Sequence, residues 1–191
     1  MVKTGIFGGS FNPIHNGHIS LARQLKEKAG LDEVWLMVSP QNPMKQQTNL
    51  LSDEARLQMA RLALKNEPGI IASDYEMHLP KPSYTWLTLQ ALSRDYPERQ
   101  FVLMIGGDNW AIFDKWYHAA DILRNYQIVV YPRRDEQPVR KEQPASVTIL
   151  EAELLDISST EIRQRIREGR SIQKMVPPSV EAFIKQEGYY V

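Results

Sequence analysis

Six short β-rich runs, separated by stretches long enough for a helix, constrain the fold of this chain more than any other feature. The runs are 3–8, 34–39, 69–73, 101–106, 128–131 and 147–150. Several are apolar at both alternating positions, the pattern of strands buried on both faces of a parallel sheet. Between them, 18–28 carries Ile19, Leu21, Ala22 and Leu25 at helical spacing, with Ala29 next in the period, and meets Gly30, a residue suited to a left-handed C-terminal cap. Ser52, followed by Asp53 and Glu54, opens a second helix whose Leu57, Ala60 and Leu64 share a face and which Pro68 ends. The stretch 85–96 repeats the pattern before Pro97, and 114–125 is a less regular candidate. This βαβαβαβ order predicts an α/β fold: a doubly wound, Rossmann-like parallel sheet with helices on both faces, in a single domain over 1–191. The stretch "PRRDEQPVRKEQP", 132–144, reads as a long polar loop. Two C-terminal helices are expected, in "ISSTEIRQRIREGR" and in "PPSVEAFIKQEG", the second opened by Pro177 and Pro178. They should pack on the edge of the sheet or lid its ligand cleft.

In such a sheet ligands bind outside the carboxyl ends of the strands, so "GIFGGSFNPIHNGH", 5–18, faces the site. Gly8 and Gly9 let the backbone approach a phosphate closely, and the helix start that follows offers unpaired N–H groups. The spacing is neither G-x-G-x-x-G nor G-x-x-x-x-G-K-S/T, which excludes the dinucleotide fingerprint and the P-loop. His15 and His18, three apart at a helix start, can turn their imidazoles to one space, with Gly17 leaving room for a flat base. A tight turn at Gly8–Gly9 with a polar histidine cap is the plainer alternative. Half of a zinc site is another, although metalloprotease histidines lie four apart around a glutamate.

A second cluster stands at "ISSTEIR", 157–163. Ser158 and Glu161 form a capping box, which a surface helix alone would explain. Ser158, Ser159 and Thr160 at a helix N-terminus, with Arg163 one turn on, also make a donor set for a polyphosphate. Lys plus Arg and Asp plus Glu number 23 each, so no overall field would hold nucleic acid or an anionic membrane, and an anionic ligand needs a local site. There is no cysteine, hence no disulfide, thiolate zinc site or cysteine nucleophile, and this suits a reducing cytoplasm. No run is long enough for a signal peptide or a membrane span.

Together "GGSFNPIHNGH" and "ISSTEIR" resemble the adenylyltransferase branch of the H-x-G-H nucleotidyltransferase superfamily, and "GGDNWAIFDKW" and "PSYTW" narrow the resemblance to nicotinate mononucleotide adenylyltransferases. The match runs over nearly the whole chain. It implies that ATP and nicotinate mononucleotide bind side by side, and that the mononucleotide phosphate attacks the α-phosphorus of ATP with Mg²⁺, giving deamido-NAD and pyrophosphate. It implies further that the amides of Gly8, Gly9, Ser10 and Phe11 hold phosphates and that His15 and His18 contact the ATP phosphates and the transition state. Ser158, Ser159, Thr160 and Arg163 would then hold the β,γ end, and Asp108 the ribose hydroxyls. Lys45 would neutralise charge. For the acceptor, Trp116 is the stacking platform with Tyr84 or Trp86 opposite, Thr85 and Tyr117 serve the carboxylate, and Ser10 and Lys45 the phosphate. Trp86 also falls in the helical period with Leu89, which gives it a core reading. No protein metal ligand is expected.

The chain departs from the family at "SPQNPMKQQ", 39–47, where Met44 stands in place of a histidine. Nicotinamide mononucleotide and phosphopantetheine are the alternative acceptors, although "SYTW" and "DKWYHAADIL" argue against the second. A non-catalytic ATP sensor is the alternative of another class, and it would not need His15, His18, Thr160 and Arg163 together. A homo-oligomer is compatible with the sequence.

Overall fold

The β-rich runs all become strands of one sheet in the computed structural model, which describes residues 1–40, 49–133 and 143–191. They are β1 (Val2–Gly9), β2 (Glu33–Val38), β3 (Ile70–Ser73), β4 (Arg99–Gly106), β5 (Gln127–Tyr131) and β6 (Val147–Ile149). Every pairing is parallel, in the order β3-β2-β1-β4-β5-β6. After β1 the chain winds outward through β2 and β3, then crosses back to lay β4 on the other side of β1. The winding reverses between β1 and β4, the position at which open α/β sheets bind ligands.

The pleat divides the strand side chains between two apolar layers. Phe7, Leu36, Val38, Val102, Met104 and Val129 point to one, and Ile6, Trp35, Met37, Leu103, Ile105 and Val130 to the other. The first layer is covered by α1 (Asn16–Lys28), α2 (Asp53–Leu64), α6 (Ser159–Arg167) and α7 (Pro178–Glu187) through Leu25, Leu57, Ile162 and Ile184. The second is covered by α3 (Thr85–Asp95) and α5 (Ala119–Asn125) through Leu89, Leu92 and Ile122. Short α4 (Gly107–Ala111) follows β4 directly. The Ser52 hydroxyl accepts the Ala55 N–H at 3.2 Å and caps α2, a contact worth about 1 kcal/mol. Gly30 takes the left-handed conformation expected after α1, at φ +60°.

Two expectations fail. The stretch 114–125 is not one helix: a 3₁₀ turn at Phe113–Lys115 and α5 are separated by Trp116–His118. His118 takes φ 56°, a left-handed conformation held while its ring stacks on Trp86 and its Nδ1 lies 2.7 Å from Asp121 Oδ2. Helix α7 neither edges the sheet nor lids the cleft; it packs against α2 on the first face. Among the described residues no helix is long and apolar enough to cross a membrane.

Candidate active site

A cleft of about 1110 Å³ lies over the carboxyl ends of the strands at the reversal point. Its wall includes all but one of the described residues that the sequence put forward, the exception being Trp86: Gly8 to Phe11, His15 and His18 at and beyond the end of β1; Tyr84 and Thr85 at the start of α3; Asp108, Trp116 and Tyr117 beyond β4; and Ser158, Ser159, Thr160 and Arg163 at α6. Lys45 and Met44 lie outside the described residues.

The two glycines that end β1 differ in their surroundings. A Cβ at Gly8 would meet nothing within 4 Å, whereas one at Gly9 would sit 3.0 Å from the Phe11 ring. Phe11 cannot yield easily, since it is 2% exposed, takes φ 48°, and wedges its ring edge-on between Phe7 and His18. Gly9→Ala is therefore expected to cost about 1–2 kcal/mol by overpacking, a drop in Tm of roughly 2–8 °C. Gly8→Ala should leave Tm unchanged and raise the KM for ATP. Thermal melts and steady-state kinetics on both variants check this, and equal melting losses would count against the division of labour.

The histidine pair is both cap and wall. His15 is the N-cap of α1, and its backbone N–H donates to His18 Nδ1 at 3.1 Å, one half of a capping box written in histidine. The rings stack with centroids 3.6 Å apart. Burial drives the His18 pKa well below its usual value, and the charges of His15 and Arg133 push the same way. His18 is therefore neutral at pH 7, and since Nδ1 accepts, the proton sits on Nε2 as a donor. Gly17 lines the cleft, and a Cβ there would lie 2.9 Å from the His15 ring, so the missing side chain makes room for that imidazole.

At α6 the hydroxyls divide likewise. Ser158 Oγ accepts the Glu161 N–H at 3.1 Å as a cap, while the Glu161 carboxylate turns to Arg165 at 3.0 Å. Ser159 Oγ donates to the Pro13 carbonyl at 2.9 Å, which ties α6 to the loop after β1. Arg163 Nη1 donates to the Asn12 carbonyl at 2.8 Å and Nη2 to Thr160 Oγ1 at 3.3 Å. Among the described residues no carboxylate pairs with Arg163, so its charge is available to the cleft. Asn12 is held again from a distance, as Tyr190 donates its hydroxyl to Asn12 Oδ1 at 2.7 Å.

Across the cleft the wall is aromatic. Trp116 packs against Phe113, and its buried Nε1 meets no hydrogen-bond partner among the described residues. The rings of Tyr84 and Tyr117 lie 4.8 Å apart, and half of Tyr117 is exposed. Trp86 is not part of the wall: it stacks on His118 and packs on the second apolar layer, as its helical period implied.

Three further charged residues at or beside the cleft were not singled out from sequence. Arg133, just past β5, pairs with Asp108 at 3.2 Å, and Gly106 is what admits the pair, because a Cβ there would lie 2.5 Å from Asp108 Oδ1. The position beyond a strand's carboxyl end was the available signal. Arg56 is fully buried, and Glu76 is 8% exposed, bonded to both Ser39 and Thr88. Burial raises the Glu76 pKa, against the opposing pull of those two hydroxyls. Nothing local in the sequence separates Arg56 from the surface arginines around it.

A doubly wound parallel sheet whose reversal point carries G-G-S-F, H-N-G-H and a serine-threonine helix start is that of a nucleotidyltransferase, and residues 6–165 match the model of the cytidylyltransferase-like family. A probable nicotinate-nucleotide adenylyltransferase of Bacteroides fragilis is 47% identical over 185 residues, 97% of this chain and 92% of that protein. One of Flavobacterium johnsoniae is 41% identical over 191 residues, 99% of each. In fold, the chain is similar to Plasmodium falciparum nicotinic acid mononucleotide adenylyltransferase complexed with NaAD, with a TM-score of 0.78 at 19% identity over 100% of this chain and 98% of the other. The chain belongs to the cytidylyltransferase-like family and, within it, to the nicotinate-nucleotide adenylyltransferases.

Proposed function

We propose that this chain transfers the adenylyl group of ATP to nicotinate mononucleotide, releasing pyrophosphate and forming deamido-NAD, a step of NAD biosynthesis. One observation carries the reading beyond the family: a single cleft at the sheet's reversal point has a cationic, amide-rich wall facing an aromatic one. An oxygen of the mononucleotide phosphate attacks the α-phosphorus of ATP, and the bond from that phosphorus to the bridging oxygen of the β-phosphate breaks. No enzyme nucleophile is needed, so catalysis consists of aligning two anions and stabilising charge on the phosphoryl oxygens. The amides of Gly8 to Phe11 and the Nε2–H of His18 suit the α-phosphate. The first turn of α6, with Thr160 and Arg163, suits the outer phosphates; Ser159 acts there through its backbone amide, its O–H being donated to Pro13, whereas Ser158, whose oxygen only accepts the Glu161 N–H, still has its O–H to donate. Asp108, steadied by Arg133, suits the ribose. Trp116 and Tyr84 suit the pyridine ring, with Thr85 and Tyr117 at its carboxylate, and Ser10 and Lys45 suit the acceptor phosphate.

Among the described residues no group of three or more histidine or acidic side chains is placed to hold a metal. The phosphate-facing donors are cationic, hydroxyl and amide groups, and Asp108 is already ion-paired. Mg²⁺ therefore fits as an ion carried on the ATP phosphates, where it supplies charge neutralisation.

Pyrophosphate release measured with ATP and, in turn, nicotinate mononucleotide, nicotinamide mononucleotide and phosphopantetheine tests the proposal. Turnover fastest with the first is expected; preference for another acceptor would reassign the substrate, and ATP binding without turnover would make the protein a sensor. Arg163→Lys is expected to weaken ATP binding by about tenfold, since lysine cannot hold Asn12 and Thr160 while also presenting a fork to phosphate. Titration with a non-hydrolysable ATP analogue checks it, and unchanged affinity would remove Arg163 from the outer-phosphate site.

A further inference from the structure

The two walls of the cleft are joined by a continuous run of hydrogen bonds, buried or part-buried, in which Ser39, Glu76 and Thr88 border the cleft and Arg56 lies behind it. It begins at the loop after β1, where Arg56 Nη1 donates to the Ser10 carbonyl at 2.7 Å and to the Ser39 carbonyl at 2.9 Å. The same guanidinium is fixed by Leu51 O at 3.0 Å and Asp53 Oδ1 at 2.6 Å. Ser39, at the end of β2, then donates its hydroxyl to Glu76 Oε2 at 2.6 Å. Glu76 Oε1 accepts from the Thr88 hydroxyl at 2.9 Å. Thr88 completes the run, its backbone N–H donating to the Tyr84 carbonyl at 3.1 Å on the opposite wall. Arg56 is 0%, Thr88 2% and Glu76 8% exposed.

A buried arginine and a buried carboxylate that are not each other's partner are costly, and apolar residues of similar volume would hold the two layers together at least as well. What a fully satisfied polar run adds is direction: each bond fixes an angle and a length, and such networks specify one arrangement. The arrangement specified here is the separation of Ser10, on the phosphate side, from Tyr84, on the ring side. For a transfer between two bound molecules that separation decides alignment, and an error near 1 Å can cost about 10²-fold in rate. We propose that Arg56, Ser39, Glu76 and Thr88 are positioning residues that hold the acceptor wall in register with the phosphate loop. The proposal rests on the two-substrate reading given above.

Ser39→Ala and Thr88→Val each remove one hydroxyl from the run and keep nearly the same volume, and Thr88→Ser restores the hydroxyl. Measured well below each variant's melting midpoint and per folded molecule, kcat is expected to fall about 10- to 100-fold in the first two, with the KM of each substrate within about twofold of the parent, and to recover in Thr88→Ser. Amide hydrogen exchange supplies a readout independent of turnover. In Ser39→Ala, the middle link, residues 8–12 and 84–88 should both exchange faster, although neither segment is near Ser39 in sequence. Unchanged kcat per folded molecule overturns the proposal, as does a KM rise at constant kcat, or loosening confined to one wall. If the parent protein turns over none of the acceptors, the two-substrate reading fails, and the exchange experiment still decides whether the run couples the walls.

Discussion

His18→Asn is expected to lower kcat by about 10²-fold or more while the protein still folds, the loss usual when a preorganised donor to a charged transition state is removed. Asparagine is the informative replacement because His18 does two things at once. Its Nδ1 accepts the His15 N–H and so caps α1, and the carbonyl oxygen of asparagine can keep that bond. Its Nε2–H, which the accepting Nδ1 and the neutral ring require, has no counterpart in asparagine. His18→Ala loses both, and the cap adds about 1 kcal/mol of destabilisation to the loss in rate. His18→Gln places an amide nearer Nε2 and should recover part of the rate with a weaker cap. Steady-state kinetics beside thermal melts separate the roles. Near-normal kcat in folded His18→Asn would leave the histidine as a cap alone.

Trp116→Ala is expected to raise the KM for nicotinate mononucleotide by about 5- to 150-fold and to leave the KM for ATP near its original value, since stacking one base on one aromatic is worth about 1–3 kcal/mol. Trp116 has the placement for this: it follows the 3₁₀ turn beyond β4, on the far side of the reversal point from His15, with one ring neighbour in Phe113. Trp116→Phe should retain most of the affinity, because it keeps a flat face. A parallel rise in both KM values would put the ring site elsewhere. Loss of the cooperative melt in Trp116→Ala, with unchanged KM values in Trp116→Phe, would make the tryptophan part of the second apolar layer only.

The sequence made the strands legible because their signal is local. Runs such as 101–106 are apolar at every position, and only a strand covered on both faces uses that pattern economically. Helix ends were legible at Ser52, Gly30, Pro68 and Pro97 for the same reason, each being a residue with one conformational effect. The break between the 3₁₀ turn and α5 was not, because the left-handed residue there is His118, held by Asp121 and Trp86, with no glycine to announce it. At the site, the glycines, histidines and hydroxyls were visible as types, but their division of labour was not. Whether the His15 ring takes the space beside Gly17 depends on a rotamer, and whether the Ser159 hydroxyl serves a phosphate or Pro13 depends on a contact 146 residues away. Arg56 and Glu76 escaped notice for the same cause, since their partners come from three other segments.

Tyr190 meets Asn12 across 178 residues of chain, and this sets an order in time. At roughly 5–20 residues per second, the loop carrying Asn12 leaves the ribosome about 10 to 35 s before the tyrosine that steadies it, with Arg163 arriving only shortly earlier. Strands β1 to β4 can pair while synthesis continues, but until Arg163 and Tyr190 emerge the loop at Asn12 lacks the bonds that they supply. The loop that follows β1 thus receives its last contacts from segments made long after it.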